Sequence, residues 1–284
     1  MARDSTTPCR WVTLREALEA FVLNVSGHQG SGHIRALHWY VACRLVLEGG
    51  FSPDEITPRP PFVVQKRGGG FLLEHSPDSA GSGERIILGG LKTKAVDVVV
   101  TKPRLGPVLA VSMKGTLGAF RNLTNRMEEA VGDCTNLHIS YPALVYGFLH
   151  ALRGTPAQLG VEADDIAVFP DARIAEGIVR YHEVLSRLTG RTDLRNEASR
   201  YESVALIMAD PVPESIGAVV PLFPSPQSSL HLSRFFEQMY QAYDLRFVYA
   251  APKLEHETAR IAWSHESGAL RDSRAIEFSP RVSS

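Results

Sequence analysis

A mixed α/β fold built on one sheet is what this sequence predicts, and three observations predict it. Two helical patterns come first, a meander of short apolar segments broken by Gly- and Pro-rich turns follows, and helices then alternate with further apolar segments. No internal repeat, heptad pattern or long low-complexity linker divides the 284 residues, so a single domain over 1–284 is expected. Its N-terminal helices occupy about 10–50, and a polar tail over about 253–284 is expected to be loosely held.

The first helix is predicted over 13–25, where Leu14, Leu18, Phe21, Val22 and Val25 share one stripe and Glu16 and Glu19 lie off it. The stretch 26–33, rich in Gly, ends it. That loop could cradle a phosphate, but without a Gly-Lys-Ser/Thr ending or a preceding strand a plain turn is the better reading. A second helix over 34–48 carries Leu37, Val41 and Leu45, and Gly49-Gly50 stops it. Strands over 62–65 and 71–74 flank a hairpin tip bearing Lys66 and Arg67, and 75–84 reads as an exposed loop. Residues 86–88, 95–101 and 108–115 read as strands, and 121–133 as a polar amphipathic helix. Beyond it, 143–149 is expected as a central strand or a short buried helix, 203–209 as a strand, and 172–188 and 229–243 as helices. Residues 246–250 either add a strand or extend the last helix.

With 44% hydrophobic and 21% charged residues the chain can bury a real core. Lys and Arg number 30 against 31 Asp and Glu, so any nucleic-acid surface must be a local cluster and not a bulk excess of charge. The first residues lack the apolar run of a secretory signal, and a cytoplasmic setting is expected. Cys9, Cys43 and Cys134 are odd in number, widely spaced and without a Cys-x-x-Cys pair, which argues against a disulfide framework and a structural zinc site. Dispersed histidines and the lack of a Gly-x-Ser-x-Gly elbow argue against zinc and serine hydrolysis.

The chemistry concentrates in 96–133. Asp97 interrupts an apolar strand, where an unpaired carboxylate would be costly to bury. It needs a cation, a wet cleft, or an ion pair with Lys92, Lys94 or Lys102. Lys114 closes the next strand, and a tight turn between the two strands would align Asp97 and Lys114 at one sheet edge.

An Asp on one strand and an x-x-Lys tripeptide on the next is similar to the core of the PD-(D/E)XK nuclease superfamily. Here Val96-Asp97 is followed after fourteen residues by Ser112-Met113-Lys114, with Val96 where Pro is common and Ser112 where the second acid belongs. A subset of type II restriction endonucleases has a permuted site, Ser/Thr-x-Lys followed by a Glu on the next helix. In this chain Glu128 follows Lys114 after thirteen residues, with Glu129 as its rival. The resemblance covers about forty residues and implies a restriction-endonuclease-like core.

What the resemblance implies is a Mg²⁺-dependent endonuclease cutting double-stranded DNA at a specific sequence, acting as a homodimer or higher homo-oligomer. Asp97 and Glu128 would bind the metal, Lys114 would orient water or offset charge, and Ser112 would be a bystander or hydrogen-bond a metal water. A further upstream acid is expected among Glu16, Glu19 and Glu74. Lys66, Arg67, Arg121, Asn125 and Arg126 are the candidate DNA contacts, with Lys92, Lys94, Lys102 and Arg104 on the same predicted edge. The alternatives are a catalytically inactive DNA-binding or assembly subunit of the same fold and a repair or junction-resolving nuclease.

Overall fold

A computed structural model describes residues 7–24 and 31–283 of the chain. Helix α1 (Leu14–Leu23) starts where the sequence offers a capping box: the Thr13 hydroxyl accepts from Glu16 N at 3.2 Å and Glu16 Oε2 accepts from Thr13 N at 2.7 Å. Val25 and most of the Gly-rich loop after it lie outside the described residues. In α2 (Arg35–Leu47) every residue except Arg35 and Arg44 is buried, so this helix is enclosed on all sides and has no solvent face of its own.

The strands follow as β1 (Ile56–Thr57), β2 (Phe62–Arg67), β3 (Gly70–His75), β4 (Arg85–Leu88), β5 (Thr93–Val96), β6 (Val98–Lys102) and β7 (Gly106–Thr116). Helix α3 (Leu123–Ser140), strand β8 (Val145–Arg153), helix α4 (Glu176–Leu188), strand β9 (Ser203–Ala209) and helix α5 (Leu232–Tyr243) complete the frame. A five-stranded mixed sheet of order β1-β6-β7-β8-β9 lies at the centre. β6 and β7 are antiparallel, whereas β7, β8 and β9 run parallel through the crossover helices α3 and α4. The pairs β2–β3 and β4–β5 are separate antiparallel hairpins.

Period-two alternation divides the core between the two faces of the sheet. Val98, Val111, Met113, Val145 and Leu149 pack with α1, α2 and α5, and Val99, Ala110, Tyr146, Phe148 and Leu206 pack with α3 and α4. The protein is thus a mixed α/β structure with helices on both sides of a central sheet. Gly147 is required for this closeness, because a Cβ there would come within 2.7 Å of Phe235 and 2.9 Å of Met239 on α5. Below α3 the Glu202 carboxylate is buried with Arg191 at 3.1 Å and Arg246 at 2.7 Å, while Tyr146 N donates to it at 2.6 Å. Burial works against this charge, but the His138 ring, Arg246 and the Tyr146 amide together hold the Glu202 carboxyl below its ordinary value. No helix among the described residues is long and apolar enough to cross a membrane.

Two local expectations are corrected, and one open alternative is decided. The strand expected over 95–101 is two strands: β5 leaves the central sheet to pair with β4, and the break falls at Asp97. Of the two alternatives for residues 246–250, extension of the helix holds: Asp244–Tyr249 continues α5 as a π-helical segment. The tail is not loose: Trp263, Ala269, Ala275 and Phe278 are buried, Trp263 Nε1 donates to Val46 O at 2.9 Å, and Arg281 N donates to Leu47 O at 2.9 Å. Its polar composition misled because a few large apolar residues suffice to seal the outer side of α2. Trp263→Ala is therefore expected to lower stability by about 3–5 kcal/mol in urea unfolding, and an unchanged midpoint would show that this segment does not hold the core.

Candidate functional site

The last paired residues of β6 and β7 at this end are Val98 and Val111. Asp97 extends the ladder by one bond with its side chain, since Oδ2 accepts from the Met113 amide at 2.6 Å. The other oxygen, Oδ1, lies 3.5 Å from His38 Nε2, too long for a good hydrogen bond. His38 is 5% exposed in α2, and its Nε2 is buried without a hydrogen-bond partner. Glu84, just before β4, completes the group, and one ligand atom from each of His38, Glu84 and Asp97 lies within 4.8 Å of the others. Burial lowers the His38 pKa from its ordinary 6.5, opposed by the charges of Asp97 and Glu84 and assisted by Arg35 and His33.

Ser112 and Lys114 sit two apart on β7 and therefore face the same way, towards α3 and α4. Ser112 Oγ lies 2.6 Å from the Tyr146 hydroxyl and is buried, which makes it part of the core. Lys114 Nζ donates to Glu129 Oε1 at 2.7 Å, and Arg126 NH1 donates to the other oxygen of Glu129 at 3.1 Å. Burial would raise the Glu129 carboxyl, but the hydrogen bond and charge of Lys114, with Arg126 and Lys94, outweigh it and hold it below its ordinary value. Glu128 is exposed. A helix turns about 100° per residue, which places Glu129 on the flank of Arg126 and Glu128 on the opposite flank of α3. The carboxylate that meets Lys114 is thus Glu129, and the group gathered around Asp97 contains His38 and Glu84 and not Glu128.

Beside Lys114 in the sheet stands His150. Both of its ring nitrogens are engaged, Nδ1 with the Tyr181 hydroxyl at 2.6 Å and Nε2 with Thr116 Oγ1 at 2.9 Å. Burial, with the nearby positive charges of Arg126 and Lys114, pushes its pKa down to about 3.

The remaining candidates are dispersed. Lys66 and Arg67 are exposed at the tip of the β2–β3 hairpin, outside the central sheet. Lys94 is paired with Asp133, and Lys92 lies 4.0 Å from the same carboxylate. Lys102 is 4% exposed and bonded to Glu55 at 3.0 Å, and with Arg104 it stands at the end of β6 remote from Asp97. Those two do not belong to the predicted edge, because β6 runs from Asp97 towards them. Asn125 and Arg126 are exposed in the first turn of α3, and the Arg121 side chain lies outside the described residues. Of the candidate upstream acids, Glu16 caps α1, Glu19 packs at Gly217, and Glu74 accepts from Gly268 N at 3.1 Å. His38 and Glu84 were missed by the sequence reading. His38 is hidden in an apolar helix, and the only signal of it was a polar side chain on a face otherwise made of core residues.

Comparison with family models, curated proteins and solved structures finds no match to this chain. The site is therefore read from its own geometry. That geometry makes one pH prediction. A His kept neutral in the folded state and free to protonate when unfolded means the unfolded chain binds more protons between the ordinary 6.5 and about 3. Stability contributed by His150 is full above the unfolded value and is lost as pH falls below it. Its ring carbon signals are expected to stay constant from neutral pH down through pH 5 in NMR, and a titration midpoint near the ordinary value would refute this.

Proposed function

We propose that this protein is a divalent-metal-dependent endonuclease acting on double-stranded DNA, with Asp97 as the central metal ligand and Lys114 as the charge-stabilising cation. The observation that supports this reading is the bond from the Met113 amide to Asp97, which fixes a carboxylate one residue away from Lys114 at the edge of an antiparallel strand pair. The parallel strands next to that pair end at the same side, and open α/β sheets place their ligands at such carboxyl ends. The permuted-site resemblance supplies the substrate class, the homodimer and the cytoplasmic setting as parts of the proposal.

Mg²⁺, which that resemblance implies, is a poor fit to the donors present. Glu128 is exposed and absent from the group at Asp97, and a nitrogen donor, His38, is in its place. What the chain's own residues offer is clearer. Lys114 carries a positive charge able to offset the negative charge that develops on a phosphate under attack. Glu129 holds that ammonium in place until a phosphate competes for it, and Arg126, on the same carboxylate, would follow it onto the DNA backbone. Ser112, tied to Tyr146, takes no part in the chemistry.

A second reading, an inactive DNA-binding subunit, is favoured by the same Ser112, since the strand position of the second acid has become core. Incubation with supercoiled plasmid and divalent metal separates them. Asp97→Ala and Lys114→Ala are each expected to lose cleavage by roughly 100-fold or more, with Lys114→Ala still folded, whereas Glu128→Ala retains it and Glu129→Ala changes it. DNA binding without cleavage by the unaltered protein would leave only the inactive subunit.

A further inference from the structure

Three elements far apart in sequence bring donors to one point beside the central sheet: α2 with His38, the residue before β4 with Glu84, and the break before β6 with Asp97. The His38 nitrogen is the unusual member. It is buried and makes no hydrogen bond, as is true of several other side-chain atoms among the described residues, but it alone belongs to a group of three metal-ligating side chains. Asp97 Oδ1, at 3.5 Å, is close enough to share an ion with it but too far to bond it. Ligand atoms around an ion with bonds of about 2.1 Å lie roughly 3.0–4.2 Å apart. The group, within 4.8 Å, needs only small side-chain adjustments to reach that spacing.

The Met113 amide on Asp97 Oδ2 leaves Oδ1 facing His38, which is how an outer partner orients a ligand. Donor chemistry then chooses the ion. Mg²⁺ and Ca²⁺ take oxygen ligands, imidazole suits transition ions, and carboxylates suit Mn²⁺, so an imidazole with two carboxylates matches a first-row transition ion that accepts both.

We infer that His38, Glu84 and Asp97 form a binding site for a divalent transition ion, Mn²⁺ by donor type, in preference to Mg²⁺. This rests on the nuclease reading only in sharing Asp97 with it; the ion follows from the donor set, and its binding is measured without DNA.

Mn²⁺ titration of the full chain, followed by electron paramagnetic resonance and by calorimetry, is expected to show one ion bound per chain, not displaced by a tenfold excess of Mg²⁺. Glu84→Gln and Asp97→Asn should each weaken binding by about tenfold or more, the scale of loss seen even for partners behind the ligands. His38→Gln should bring the Mn²⁺ and Mg²⁺ affinities together. Because His38 lies in the core, its variant is compared by circular dichroism with the unaltered protein, and the two carboxylate variants carry the test if it fails to fold. Absence of stoichiometric Mn²⁺ binding, equal competition by Mg²⁺, or unchanged Mn²⁺ affinity in Glu84→Gln and Asp97→Asn would each overturn the inference. Mn²⁺ binding without plasmid cleavage would overturn the nuclease reading alone, and Mg²⁺-supported cleavage without Mn²⁺ binding would overturn this inference alone.

Discussion

The carboxylate of Asp97 takes over where the backbone ladder between β6 and β7 stops. Without it the Met113 amide would lose its partner at the point where the chain departs to form the β4–β5 hairpin, and an unmatched buried amide is costly. One side chain thus does two things: it terminates the central sheet cleanly and it stands with its second oxygen towards α2. The position of Glu84 follows from the same event, since the hairpin that leaves the sheet at Asp97 begins just after Glu84. Strand topology and donor geometry are here a single constraint.

The two faces of the sheet divide the polar chemistry between them. On the side of α1 and α2 the group is compact and contains the buried His38 nitrogen, and on the side of α3 it is a paired network running from Lys114 through Glu129 to Arg126. His150, Thr116 and Tyr181 extend that second side as a neutral, fully bonded relay.

Periodicity made most of the frame legible. The capped start of α1, the extent of α2, the hairpin tip at Lys66 and Arg67, the strand β9 and the inward aromatic face of α5 could all be read from residue spacing, because each depends on neighbours a few positions away. Asp97 and Lys114 could be read for the same reason, being polar interruptions in strands joined by a short turn. What could not be read were partners chosen across the fold. Lys102 takes Glu55, Lys94 takes Asp133, and Lys114 takes Glu129, its choice over Glu128 set by which flank of α3 turns to the sheet. His38 and Glu84 escaped notice because no spacing relates a helix in the first fifty residues to a loop and a strand break that follow much later.

The C-terminal segment makes the protein a closed circuit in time as well as in space. The backbone carbonyls of Val46 and Leu47, at the end of α2, find their donors in Trp263 and Arg281, the first of them 217 residues further along the chain. A nascent chain therefore carries an apolar helix with an uncovered side until residues 263–281 have been added, and must close long loops before that side is sealed. Loss or disruption of residues 263–281 therefore acts on the packing of a helix formed from the first fifty residues.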